Sequence, residues 1–178
     1  MKVKFSKSAT KTSSFIGDRY KTEYIVDLGN GEFATFQYQD YSSKINWGER
    51  EVIIKPNLKH FTIIDYNIIE DGDSIGRIKK SGWTHIAPKI EITNCEVYKF
   101  KKNKTTLFKY LFDSSNYSIQ IENSNETIQY HFHKGKYFHN EWGNQRHKAL
   151  DGEIELQENS LFIALIGFLL IELMLEDE

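Results

Sequence analysis

The chain has 178 residues, with 23 Lys or Arg against 25 Asp or Glu and a formal net charge of −2. That length fits one domain able to bury roughly 70% of its unfolded surface, and the near-neutral charge argues against a general nucleic-acid binder, which needs a basic excess to meet phosphates. Cys95 is the sole cysteine, which excludes an intramolecular disulfide and gives no sign of an oxidising compartment.

The first segment, MKVKFSKSATKTSSF, is basic but has no apolar stretch, so a secretory signal is not expected and a cytoplasmic location is the default. Only Pro56 and Pro88 interrupt the chain as prolines, and no Gly/Ser tract, low-complexity block or fixed repeat marks a linker, so residues 1–178 read as a single domain. EYIVDLGNGEFATFQY, Glu23 to Tyr38, sets β-branched and aromatic residues on either side of Gly29-Asn30-Gly31, the pattern of a hairpin. FTIIDYNIIEDGDSIGRIKK, Phe61 to Lys80, repeats it with a turn at Glu70 to Asp73, and the same grammar returns in CEVYKFKKNKTTLFKYLF, NYSIQIENSNETIQYHFH and GKYFHNEW. About a dozen short strands, spaced as in a sandwich or barrel, account for the chain before residue 157.

From Leu161 to Leu175 the pattern changes to a run broken by one charge, Glu172, and apolar on every side of a helical wheel. Asn159 or Ser160 is placed to cap its start. Fifteen helical residues rise about 22 Å, short of the roughly 30 Å hydrocarbon layer of a bilayer. No Lys or Arg follows Lys148 to anchor a flank. A spanning helix is therefore disfavoured, and an interfacial one would need a polar face. Such a helix must instead be enclosed by the strands, which predicts a closed antiparallel β-barrel around a central hydrophobic C-terminal helix at about 160–175. Closure also removes the free edges that so many strands would otherwise present.

With this order of elements the chain resembles the tubby-like superfamily, which includes the tubby C-terminal domain, the phospholipid scramblases and the LURP-one-related proteins. The likeness is carried by YNIIEDGDSIGRIKK, similar to the strand, Asp/Gly turn and IG-x-I strand of scramblase and LURP-one-like members. It is carried most by GEIELQENSLFIALIGFLLIE, Gly152 to Glu172, similar to a last strand leading into a central helix. The resemblance implies a lipid-recognising role near a membrane, since tubby domains bind phosphoinositide headgroups and scramblases act at bilayers. The Pro- and Cys-rich leader of scramblases is missing, and the tubby phosphoinositide-binding lysine and arginine have no matched positions here.

Charge is unevenly placed. Arg77 to Lys109 holds nine basic residues against Glu91 and Glu96, whereas Asp151 to Glu178 holds eight acidic residues and no basic ones. In VYKFKKNK, alternation puts Tyr98 and Phe100 on one face of a strand and Lys99 and Lys101 on the other; Arg77 and Lys79 likewise share a face. If those strands are neighbours, Arg77, Lys79, Lys99 and Lys101 form one patch for an anionic lipid headgroup, at about 1 kcal/mol per charge. The plainer reading is a set of solvated lysines that guard strands against edge pairing.

His131 and His133 form a His-x-His pair on one strand, able to chelate zinc. A two-residue turn at Lys134-Gly135 would set His131 opposite Phe138, and a three-residue loop would set it opposite His139; His147, Glu141 and Cys95 are remote candidates for further ligands. GDSIG, Gly72 to Gly76, resembles the Gly-Asp-Ser-Leu block of esterases, but no histidine here follows an Asp by three residues, so Gly72 and Asp73 read as turn residues. No phosphate-binding glycine loop or dinucleotide fingerprint occurs, so no cofactor is expected. Trp83 and Trp142 fall in loops, where exposure would favour a lipid or ligand contact.

The sequence thus points to a non-enzymatic binding module, with an anionic phospholipid surface or a protein as partner and peripheral attachment as the form of any membrane contact. A metal-dependent hydrolase at His131/His133 and an interaction scaffold that binds neither lipid nor metal are the alternatives.

Overall fold

The computed structural model describes residues 1–14, 17–29, 31–59, 62–79, 89–92, 97–102, 117–123, 127–133, 137–139, 146–148 and 151–176. Its strands are β1 (Lys2–Ser14), β2 (Gly17–Gly29), β3 (Glu32–Gln39), β4 (Ser42–Trp47), β5 (Arg50–Lys59), β6 (Thr62–Glu70), β7 (Asp73–Lys79), β8 (Lys89–Ile92), β9 (Val97–Lys102), β10 (Tyr117–Glu122), β11 (Thr127–His133), β12 (Tyr137–His139), β13 (Arg146–Lys148) and β14 (Asp151–Glu155). A 3₁₀ turn, Glu158–Ser160, runs into helix α1 (Leu161–Glu176).

Twelve of these strands close into one antiparallel barrel in the order β1, β14, β11, β10, β9, β8, β7, β6, β5, β4, β3, β2. Chain neighbours are sheet neighbours from β1 to β11, and the barrel closes where β14 inserts between β11 and β1. Among the described residues the remaining two, β12 and β13, pair with each other in a separate two-stranded sheet. Two-residue turns join several of the hairpins. In the β6–β7 turn Asp71 and Gly72 have φ of 51° and 87°, both positive as a turn matched to strand twist requires. The same geometry at Asp40 (52°) and Tyr41 (63°) joins β3 to β4 and places an aromatic residue in a conformation that bulky side chains avoid.

Alternation sets the two faces of the barrel wall. In β3, Ala34, Phe36 and Tyr38 are buried while the intervening residues are partly exposed. The buried faces meet α1, whose consecutive residues Ala164, Leu165 and Ile166 are fully buried. Three successive positions sweep most of a helical turn, so α1 is surrounded by protein, as its all-round apolarity requires. Phe168 is the hub: its ring lies 5.2 Å from Phe5, 4.1 Å from Tyr24, 5.8 Å from Phe36 and 5.7 Å from Tyr130, centroid to centroid. One helical side chain therefore touches β1, β2, β3 and β11. The Tyr130 hydroxyl donates to the Ala164 carbonyl oxygen at 2.6 Å, and burial raises its pKa well above the ordinary tyrosine value.

The expected axle-and-barrel architecture is thus present, and the helix bounds differ from 160–175 by one residue at each end. The helix is entered through the 3₁₀ turn, which holds Asn159 and Ser160, and Ser160 immediately precedes Leu161, the first residue of α1. Among the described residues no helix is long and apolar enough to cross a membrane.

Arg50 lies over the end of the barrel that receives the start of α1. Its guanidinium is 5.0 Å from the Phe162 ring and 5.3 Å from that of Trp47, and it grips Glu70 through bonds of 2.6 and 3.1 Å. The hydrogen bond from Arg50 holds the Glu70 carboxyl below its ordinary value, against the opposing effect of burial. The pair's contribution is therefore complete above the ordinary carboxylate range and is lost as pH falls through it to the lowered value. Because Arg50's side chain is 44% exposed, that contribution is at most about 1 kcal/mol. Glu70→Gln should lower the urea midpoint slightly at neutral pH, and the difference from the wild type should vanish in acid.

Candidate functional site

The cationic strands occupy consecutive places in the wall, but not in direct contact: β8 separates β7 from β9. Register then determines what faces what. Lys79 lies opposite Lys89, and Lys89 opposite Lys99, so three lysines from three strands form one row on the outer face. Asp65 on β6 and Glu122 on β10 close the row at its two ends. The inner row beside it, Tyr66, Ile78, Ile90 and Tyr98, is buried in the core.

Of the four residues expected to form the patch, Arg77 and Lys79 share the outer face of β7 and each has a carboxylate partner. Arg77 Nε is 3.5 Å from Asp65 Oδ2, and Lys79 Nζ is 2.7 Å from Glu91 Oε2. Lys99 is exposed and has no ion-pair partner among the described residues. Lys101 is placed by register two residues along β9, opposite Gln120. Lys89, also exposed and without an ion-pair partner among the described residues, is the residue that the sequence reading missed. Its signal was the alternation in KIEI, which sets Lys89 and Glu91 outward against Ile90 and Ile92. What the sequence did not contain was the order of strands that makes β8 the bridge. Like charges directly opposite one another destabilise a sheet by up to about 1 kcal/mol per pair; Glu91 at Lys79 and Glu122 opposite Lys99 offset part of that cost, and a bound anion would offset more.

Beside the row lies a shallow depression of 220 Å³ lined by Ser74, Gly76, Arg77, Lys79, Glu91 and Ile92. Ser74 is exposed on β7 opposite Ile69, and among the described residues that line the depression there is no histidine. Gly72 sits in the turn, while Asp73 begins β7 and pairs with Glu70.

The histidine geometry departs from both registers considered for it. β11 pairs with β10 and β14, not with β12, so His131 faces Ser118 and Glu153. His139 pairs with Arg146 in the separate sheet of β12 and β13. The reason is that β14 returns to occupy the ladder position beside β11 and displaces the nearer β12. His131 Nε2 is buried without a hydrogen-bond partner; Glu155 Oε1, 3.7 Å away, is too far for one. His133 is placed opposite Asp151 by its backbone. Among the described residues no three His, Cys, Asp or Glu side chains gather as a metal would need. Cys95, Glu141, Trp83 and Trp142 lie outside the described residues.

No family model, curated protein or solved structure matches the chain.

Proposed function

We propose that this chain is a non-enzymatic binding module of the tubby-like kind, docking peripherally onto anionic phospholipid headgroups through the outer face of β7, β8 and β9. The single observation that carries this reading is the in-register row Lys79, Lys89 and Lys99, two of whose members lack a carboxylate partner among the described residues. The closed barrel around an apolar helix supports the tubby-like part of the reading, since the resemblance rests on that order of elements. Each lysine near an anionic surface contributes about 1 kcal/mol of attraction, falling off within a Debye length. The anionic cytoplasmic leaflet is the surface that such a row fits.

Vesicles carrying phosphatidylserine should sediment the protein, and high salt should release much of it. Reversal of Arg77, Lys79, Lys99 and Lys101 to Glu, with Lys89→Glu added, should abolish the binding. Equal recovery on neutral and anionic vesicles would overturn the reading.

A further inference from the structure

At the end of the barrel where β5 meets β6, the ladder has a bulge. Pro56 pairs with Tyr66 and Asn57 with Asp65, but Leu58 then pairs with Ile63, leaving Ile64 without an opposite number. Regular alternation would have set Leu58 against Ile64 on the inner face. Instead Ile63 packs against the core, while Leu58 and Ile64 are left 59% and 44% exposed. Bulges re-aim side chains in this way and are built features of a sheet.

The same end carries the β3–β4 turn. Register between Ser43 and Ile54 sets that turn beside the last residues of β5. There Tyr41, at φ 63°, is 50% exposed, a strained aromatic held outward. Strain of this kind persists where the surroundings impose it and gathers at sites of contact. The cationic row leads to this rim: Asn57 and Asp65 are its continuation on β5 and β6, and Leu58 and Ile64 lie one residue beyond them. Lys55 and Lys59, both exposed, flank the apolar pair. Across this surface Lys55, Lys59, Arg77, Lys79, Lys89 and Lys99 outnumber Asp40, Asp65, Glu91 and Glu122.

We infer that Tyr41, Leu58 and Ile64 form an apolar anchor that enters the interfacial layer of an anionic bilayer while the lysine row meets its headgroups, so that the barrel docks end-on at this rim. The inference rests on the lipid-docking reading above and adds the part of the contact that salt cannot screen. The occupant is fixed by chemistry: exposed apolar side chains flanked by Lys55 and Lys59 at the end of a lysine row match an interface with acyl chains beneath anionic headgroups, and tyrosine suits such a boundary because one end is apolar and the other polar.

Two proteins separate the outcomes. Leu58→Trp is a reporter, and Tyr41→Asn/Leu58→Ser/Ile64→Ser removes the anchor at exposed sites, with Asn chosen because it tolerates positive φ. On phosphatidylcholine vesicles containing phosphatidylserine, the emission of the introduced indole, taken as the difference from the wild type, should shift to the blue and be quenched by brominated acyl chains. The triple variant should bind about tenfold more weakly and lose the fraction that the wild type keeps at high salt. Unshifted, unquenched emission with wild-type affinity in the triple variant would overturn the anchor and leave electrostatic docking standing. A wild-type protein that binds no anionic vesicle would overturn both.

Discussion

Gly167→Leu should prevent the chain from folding, and Gly167→Ala should lower its unfolding free energy by about 2 kcal/mol or more. A Cβ built at Gly167 overlaps the Tyr130 hydroxyl oxygen and lies 2.6 Å from Ile121 Cδ1 and 2.9 Å from Tyr130 Cζ. Neither neighbour can retreat, because both are fully buried in the common core. Alanine gains up to about 1 kcal/mol over glycine in helix propensity, but this is outweighed. Displacing Tyr130 breaks its bond to the Ala164 carbonyl and strands a buried hydroxyl, at about 1–3 kcal/mol, and the overlap itself adds overpacking strain of about 1–3 kcal/mol. Leucine adds three further carbons to the same space and exceeds what a domain of marginal stability tolerates. Tyr130→Phe removes the overlapping oxygen, so Tyr130→Phe/Gly167→Ala should be more stable than the sum of the two single effects predicts. Urea unfolding of the four proteins measures that coupling. Wild-type stability in Gly167→Leu would mean that the helix does not occupy the barrel.

That prediction was half visible in the sequence. The tail's apolarity on every side required an enclosing wall, and strands with β-branched alternation and Gly- or Asp-containing turns supplied one. Which wall residue crosses the helix at Gly167 was not visible, since it depends on how far α1 enters the barrel. The cationic site was legible to the same degree. Alternation assigned Arg77, Lys79 and Lys99 to outer faces, but the strand between them, and with it Lys89, follows from ladder order. His131 and His139 were misplaced because local sequence favours the nearest hairpin, whereas closure of the barrel gives β11 the distant partner β14. The bulge at Leu58 and Ile64 was hidden for a related reason: a register shift leaves no mark when both residues are apolar, as a core-facing pair would also be.

A second pair of residues carried a signal in plain view. Lys7 continues the inward series Val3, Phe5, Lys7, and Glu172 is the one charge within the apolar run of α1; a charge at a core position requires a partner. They are partners, 165 residues apart in sequence. Lys7 Nζ lies 2.7 Å from Glu172 Oε1, which also accepts a hydrogen bond of 2.5 Å from the Tyr24 hydroxyl. Both charged residues are only 6% exposed, and Lys7 Nζ lies 5.5 Å from the centre of the Tyr24 ring. Glu172 is one helical turn beyond Phe168, so the polar contact sits directly above the ring cluster and fixes both the depth and the rotation of α1. Glu172→Leu should cost about 3–5 kcal/mol, because it leaves the Lys7 ammonium buried and uncompensated. Tyr24→Phe should cost less, about 1.5–3 kcal/mol, since it removes one charge-assisted bond and leaves the ion pair. Lys7→Met/Glu172→Leu should recover part of the loss, because an apolar pair of similar volume needs no desolvation of charge, while the buried Tyr24 hydroxyl still loses its Glu172 acceptor. The three variants, unfolded in urea beside the wild type, test this directly. If Glu172→Leu alone unfolds at the wild-type midpoint, the pair does not hold the helix in the barrel.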